Sequence, residues 1–184
     1  MILADRAVLV LGLVQTAAET SMYIFVFLWT PVLDPGAGAG AGLGWVFSCF
    51  MLAMMLGSQL TSRLAASRPQ LSILRLCLLA MSASLAAAAV TSQPGLCPDP
   101  DLCRLGSFLS FLVLETAIGA YYPAISSLRS RYIPEQVTSS LHYYSFTKIN
   151  ILHFPDTSVA TGIICMTMLI SYCWVFTLQT HHSH

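Results

Sequence analysis

Long apolar segments, two of them interrupted near the middle by one glutamate, constrain the fold of this 184-residue chain more than any other feature. A transmembrane helix needs about 20 apolar residues. Four such segments span residues 7–33, 43–62, 76–93 and 105–128, and residues 159–178 give a fifth. Charged residues make up only 9% of the chain, whereas soluble domains carry roughly 25%. The sequence therefore predicts an all-α, multi-pass transmembrane helix bundle with about five spans.

The charges exclude several classes of function. Eight basic and eight acidic residues balance to a net charge of zero, without the clustered Lys and Arg that a nucleic-acid-binding surface needs. The sequence holds no Gly-rich phosphate loop of the Walker type and no nucleophile beside a matched base. We therefore expect neither an enzyme nor a nucleic-acid-binding protein, and no cofactor is predicted. The lipid bilayer is the first expected partner.

The distribution of arginines predicts the orientation in the membrane, because positive residues concentrate in cytoplasmic loops. If the first four spans alternate in direction, one side of the membrane holds Arg6, Arg63, Arg68, Arg75, Arg129 and Arg131. Only Arg104 falls on the other side. The N-terminus is therefore predicted to be cytoplasmic, and the loop around Cys97 is predicted to be external or lumenal.

The glutamate of the first segment, Glu19, lies four residues after Gln15, so both side chains share one helix face. An ionisable residue in a membrane helix is costly and turns toward the bundle interior or a water-filled path. One interpretation makes Glu19 a proton-coupling or gating carboxylate on a transport path. A satisfied hydrogen bond between helices is equally compatible with the pattern.

The second buried glutamate, Glu115, shares a helix face with Gly119 and Tyr122. Gly119 and Pro123 predict a kink at this level, and Tyr122 adds a hydroxyl group. A bent helix that carries a carboxylate suits a transport path. A purely structural kink is the competing interpretation. Gln15, Glu19, Glu115 and Tyr122 are our candidate path residues.

Small residues suggest how some segments pack and end. Ala53, Gly57 and Thr61 repeat every four residues, a stripe that lets another helix approach closely. Pro31 and Pro35 are predicted to end the first helix. The alternating Gly and Ala of residues 36–44 predict a flexible connector.

The cysteines and histidines give no metal site. Cys97 and Cys103 lie in a polar loop, where a disulfide in an oxidising compartment and two free thiols are both compatible with the sequence. The remaining cysteines lie in apolar segments, where cysteine behaves as a small hydrophobe. The histidines of residues 180–184 are interpreted as a frayed tail.

Three sequence blocks resemble the molybdate-anion transporter family of the major facilitator superfamily. They are DRAVLVLGLVQTAAETSMYIFVFLWTPVLDP (residues 5–35), FSCFMLAMMLGSQL (47–60) and FLVLETAIGAYYPAISSLRSRYIPE (111–135). They are similar to the family's seventh, eighth and tenth helices. The resemblance implies that residues 1–136 correspond to helices 7–10 of a twelve-helix transporter, the C-terminal half of the fold. It also matches Glu19 and Glu115 to glutamates of the family pattern.

The resemblance weakens after about residue 136. Residues 137–156 form a divergent polar segment, and residues 157–179 give a final transmembrane helix in place of the twelfth. One interpretation is that the polar segment also crosses the membrane, and another is that the tail lies on the opposite side. We favour a truncated or alternatively spliced product, which would pair with an N-terminal half that this chain lacks.

The function that the resemblance implies is import of molybdate or a similar oxyanion across the cell membrane by alternating access. Because molybdate is a dianion and the four spans hold no Arg or Lys, its cationic ligands are expected mainly in the other half. The alternative is a non-transporting membrane fragment that acts only through helix packing with a partner.

Overall fold

The computed structural model describes residues 6–33, 40–92 and 99–132. In those ranges it contains no strand and four α-helices: α1 (Arg6–Leu33), α2 (Gly40–Leu64), α3 (Gln70–Thr91) and α4 (Pro100–Tyr132). Each is long and apolar enough to cross a membrane. The prediction of an all-α, multi-pass bundle is therefore confirmed. Segments 137–156, 157–179 and 180–184 lie outside the described residues.

Helices α3 and α4 begin earlier than their apolar segments suggested. α3 begins at Gln70 rather than at residue 76, and α4 begins at Pro100 rather than at residue 105. The prediction that no Arg lies within the spans is therefore wrong. The membrane-length helices contain Arg63 in α2, a half-buried Arg75 in α3, and Arg104, Arg129 and Arg131 in α4. The physical reason is that a long Arg side chain near a helix end can extend its charge toward the membrane surface. Apolarity marks the part of a helix in hydrocarbon, not the whole helix.

Of two predictions about the connection between α1 and α2, one is confirmed and one is wrong. α1 ends at Leu33, where the first apolar segment was predicted to end, and it includes Pro31 in its last turn. A proline in a last turn disturbs few backbone hydrogen bonds, so helical geometry can persist there. The Gly-Ala connector is shorter than predicted, because α2 already begins at Gly40. In a bilayer the backbone groups must bond internally, which favours helix even in a sequence rich in glycine.

Helix α4 is central and packs against α1, α2 and α3. The apolar core lies around it, and its largest fully buried apolar side chains are Val14, Phe50, Ile73, Leu74, Leu78, Met81, Leu114 and Ile118. The outer faces are apolar as well: Phe27 is 76% exposed and Trp45 is 78% exposed. Such large exposed apolar side chains fit contact with lipid or with further protein.

Aromatic side chains join three helices at one end of the bundle. Phe25 of α1 packs edge-on against Phe50 of α2 and Phe111 of α4, with ring centroids 5.4 and 5.2 Å apart. Trp29 and Phe108 extend the group through contacts with Phe50 at 5.7 and 5.8 Å. Edge-to-face pairs of this kind stabilise packing beyond simple burial. The C-terminal part of α1 is thereby fixed to α2 and α4.

The small-residue stripe of α2 packs against α4, which confirms the predicted close approach. Ala53, Gly57 and Thr61 are all buried, and a Cβ atom at Gly57 would overlap the carbonyl oxygen of Thr116. The Thr61 hydroxyl also donates a hydrogen bond to the carbonyl of Ala120 at 2.9 Å. Close backbone contact and a hydrogen bond between helices are the two main sources of association in lipid.

Candidate functional site

The two polar side chains of α1 are hydrogen-bonded to each other. Gln15 Nε2 donates to Glu19 Oε1 at 2.7 Å, and Gln15 is only 7% exposed. The predicted shared face is therefore confirmed. The neighbouring Thr16 hydroxyl donates to the carbonyl of Gly12, as hydroxyl groups often do inside membrane helices. The Gln15 amide thus holds the Glu19 carboxylate in a fixed orientation on α1.

Glu115, near the middle of α4, is 2% exposed. Its Oε2 atom has no hydrogen-bond partner within the described ranges. A buried carboxylate without a donor carries a large desolvation cost, and more so in a bilayer. This carboxyl group therefore requires a proton, a cation or a donor from beyond the described residues.

Tyr122 connects α4 to α1 and lies near both glutamates. Its hydroxyl donates to Met22 Sδ at 2.9 Å. It also interacts electrostatically with the carboxylates of Glu19 and Glu115. Carboxylates from two different helices thus lie within electrostatic range of one tyrosine, an arrangement that the sequence did not predict.

Tyr121 is a site residue that the sequence analysis did not select. It is 2% exposed, and its hydroxyl has no hydrogen-bond partner in the described part of the chain. The hydroxyl interacts electrostatically with Glu19 and with Arg129. Its ring lies 5.6 Å from that of Tyr122. The available sequence signal was a tyrosine pair within two turns of Glu115 on the same helix.

These residues form one group, which we call the α1–α4 polar cluster: Gln15, Glu19, Glu115, Tyr121 and Tyr122. All four candidate path residues from the sequence belong to it. It combines an amide, two carboxyl groups and two phenol groups in a largely apolar bundle. Such a set can accept protons, hold a cation or donate hydrogen bonds to an anion.

The two residues predicted to kink α4 are both inside a helix that runs from Pro100 to Tyr132. Gly119 is buried against the backbone of Met54, so packing against α2 already requires a glycine there. Pro123 follows one turn later. The kink itself stays a prediction.

The cysteines fall into two groups. Cys103 takes part in a disulfide, while Cys49 and Cys77 are free. Cys97 lies outside the described residues, so the pairing of Cys97 with Cys103 stays a prediction. Within the described ranges no group of three His, Cys, Asp or Glu side chains is placed to hold a metal ion.

Comparison with known proteins identifies relatives of the chain. Residues 1–113 match a major facilitator family described as sugar transporters with 12 transmembrane segments. The molybdate-anion transporter of Takifugu rubripes is 43% identical over 142 residues, which cover 76% of this chain and 28% of that protein. The one from Danio rerio is 45% identical over 137 residues, covering 72% and 27%.

A longer match comes from the molybdate-anion transporter of Xenopus laevis. It is 35% identical over 195 aligned residues, covering 97% of this chain and 41% of the relative. This alignment reaches past residue 136, into the segment that the sequence analysis identified as divergent. The chain thus spans less than half the length of the curated relatives it matches. No solved structure matches it significantly.

Proposed function

The chain belongs to this twelve-segment family of the major facilitator superfamily, and on that premise we propose that it works as one half of an oxyanion importer. Molybdate or a similar oxyanion is the substrate, since the curated relatives are named as molybdate-anion transporters. The path runs between this half and a second half, which rock around a central site. The arginine distribution supports a cytoplasmic N-terminus, and the cell membrane is the proposed location.

The α1–α4 polar cluster is the observation that carries this proposal. Glu19 and Glu115 lie near the middles of two membrane-length helices, where lipid penalises ionisable groups most. The Gln15–Glu19 hydrogen bond orients one carboxylate on α1, and both carboxylates lie within electrostatic range of Tyr122. Polar groups gathered at mid-height of two helices suit the wall of a path.

The chemistry of the cluster assigns it a supporting part in anion transport. Two ionised carboxylates repel a dianion, whereas the Gln15 amide and the tyrosine hydroxyls can donate to it. We therefore assign the main cationic ligands to the other half. In this half the Glu115 carboxyl binds the proton or cation that offsets its charge, and the donors of α1 and α4 complete the anion's coordination.

A specific observation also favours a second candidate function. The observation is the close backbone contact of α2 with α4, where a Cβ atom at Gly57 or Gly119 would overlap a backbone carbonyl of the facing helix. Helices that pack in this way can pair with a longer transporter and act only structurally. The two functions differ in whether the α1–α4 polar cluster affects uptake.

Molybdate uptake tests the proposal in cells that lack their own high-affinity uptake. The chain is expressed alone, or together with the portion of a molybdate-anion transporter that precedes the matching segment, and surface expression is verified for each. Uptake is expected only with both parts. Glu115→Gln should abolish it, whereas Asp101→Asn, the same chemical change at an exposed position of α4, should not.

Each other result has a defined meaning. Uptake by the chain alone would overturn the assignment of the cationic site to the other half. Absence of uptake with both parts inserted would overturn the transport proposal and support the structural fragment. Equal uptake by Glu115→Gln and Asp101→Asn would remove the α1–α4 polar cluster from the path.

A further inference from the structure

An apolar groove opens on the outer surface between α2, α3 and α4, away from the α1–α4 polar cluster. It encloses about 280 Å³. Its lining is almost wholly apolar and consists of Leu60, Leu64, Ile73, Leu76, Cys77, Ala80, Leu112, Val113, Thr116, Ala117 and Ala120. Along α3 the lining runs from Ile73 to Ala80, a rise of roughly 10 Å at about 1.5 Å per residue. This shape is a short channel parallel to the helices.

One end of the groove meets the α2–α3 loop, because Leu64 and Ile73, on either side of that loop, both line it. The loop folds back on Leu64, whose carbonyl accepts hydrogen bonds from the backbone N–H groups of Ser67 and Arg68 at 3.0 and 2.9 Å. This turn keeps the backbone of Arg68 next to Leu64, which lines the groove. Leu60, a groove residue, lies three residues before Arg63 on the same face of α2. Arg63 and Arg68 are both exposed.

The loop is also strongly biased toward positive charge. The sequence contains no acidic residue between Asp34 and Asp99, a stretch that holds Arg63, Arg68 and Arg75. An apolar groove whose end lies at the turn between two exposed arginines complements a molecule with an apolar tail and an anionic head. Basic residues at the membrane surface next to helix grooves are suited to anionic lipid headgroups.

We propose that this groove binds one acyl chain of an anionic phospholipid, whose headgroup phosphate contacts Arg63 and Arg68. The site is independent of transport and uses no residue of the α1–α4 polar cluster. A helix is a poorer match as occupant: residues 157–179, the remaining apolar segment, carry no charged side chain to complement the arginines. Lipid provides both the apolar chain and the negative charge.

Native mass spectrometry of the whole chain tests the site. The protein is extracted from vesicles of equal parts phosphatidylcholine and phosphatidylglycerol with identical acyl chains, and the retained lipid is identified. One phosphatidylglycerol molecule is expected per chain. The double variant Arg63→Gln/Arg68→Gln should lower the retention of phosphatidylglycerol about 5- to 30-fold. The reason is that each arginine near the membrane surface strengthens binding of anionic lipid roughly fivefold. Retention of phosphatidylcholine should not change.

Matched controls separate a site from general attraction of anionic lipid. Arg131→Gln removes an exposed charge at the end of α4 on the same predicted side, and Arg104→Gln removes one on the opposite side; neither should alter retention. Ala80→Phe fills the groove and should reduce retention of both lipids. The arginine variants change only exposed side chains, so they remain informative if the filled variant does not fold.

Two results would overturn the proposal. Equal retention of both lipids, unchanged in Arg63→Gln/Arg68→Gln, would show ordinary surrounding lipid only. Absence of any retained lipid from a folded chain would show that protein, such as residues 157–179 or a second copy, covers the groove. A fall in Arg131→Gln as large as in the double variant would likewise remove the assignment to Arg63 and Arg68.

Discussion

Gly119 of α4 lies directly against the backbone carbonyl of Met54 in α2, with no room for a methyl group between them. The reciprocal contact places Gly57 of α2 against the carbonyl of Thr116 in α4. Two glycines on facing helices thus bring the two backbones together at neighbouring levels. Because lipid provides no hydrophobic force between helices, this contact is a principal reason for α2 and α4 to associate.

Replacing either glycine by alanine is expected to weaken the bundle. In Gly57→Ala or Gly119→Ala the new methyl group meets backbone atoms, which cannot rotate away as a side chain can. Overpacking of this kind lowers the free energy of unfolding by about 1–3 kcal/mol. The better helix propensity of alanine offsets at most about 1 kcal/mol of that loss. Unfolding of the purified chain by denaturing detergent, followed by circular dichroism, measures the loss.

Gly44→Ala is the matched control for both variants. It makes the same change on α2 at a position where an added Cβ meets nothing within 4 Å. We expect its stability to equal or slightly exceed that of the original chain. If Gly119→Ala unfolds at the same detergent fraction as Gly44→Ala, the close contact of α2 and α4 does not stabilise the bundle.

The Thr61 hydroxyl gives a second test of the α2–α4 contact. Thr61→Val keeps the shape but removes the hydrogen bond to the Ala120 carbonyl, so we expect a loss of about 1 kcal/mol. Ser62→Ala is the comparison, because Ser62 is exposed and its hydroxyl donates to the carbonyl of Ser58 in its own helix. Equal stabilities of the two variants would show that the bond between helices contributes nothing measurable.

The sequence predicted the number and order of the described helices, because a bilayer-length apolar run has few alternatives to a helix. It predicted the C-terminal end of α1 but not the starts of α2, α3 and α4. Arg75 and Arg104 lie inside α3 and α4, since a terminal turn can remain helical while its charge reaches the membrane surface. These errors lie at the ends of helices, where the helix continues beyond the hydrocarbon part of the membrane.

The candidate site was predictable residue by residue but not as a group. Helical spacing was enough to place Gln15 beside Glu19, and a glutamate inside an apolar run is conspicuous by itself. The meeting of Glu19 with Tyr121 and Tyr122 depends on how α1 packs on α4. Spacing within one helix carries no information about that rotation, so the buried Tyr121 was not selected.

The disulfide of Cys103 leads to a chemical prediction. We expect peptide mapping of the chain, purified without reductant and alkylated in denaturant, to recover Cys97 linked to Cys103. Cys49 and Cys77 should carry the alkyl label, because both are free in the structure. After reduction Cys103 should be labelled too. Recovery of Cys103 linked to any other cysteine would contradict the predicted pairing.

Tyr121→Phe separates a functional hydroxyl from a structural one. In the described part of the chain this buried hydroxyl has no hydrogen-bond partner, so its removal takes away a desolvation cost. We expect the stability of the chain alone to stay the same or to rise by about 1 kcal/mol. Uptake with the preceding half should fall about tenfold or more, the equivalent of one charge-assisted hydrogen bond.

Ser84→Ala is the control for this variant, because it also removes a buried hydroxyl, one that bonds to Met81 within α3. It should leave uptake unchanged. If Tyr121→Phe destabilises the isolated chain, its hydroxyl has a structural partner. The interaction with Glu19 and Arg129 is then part of the packing of α1 on α4. If stability is kept and uptake falls, the hydroxyl acts in transport, because the unchanged stability shows that the fold of the isolated chain does not depend on it.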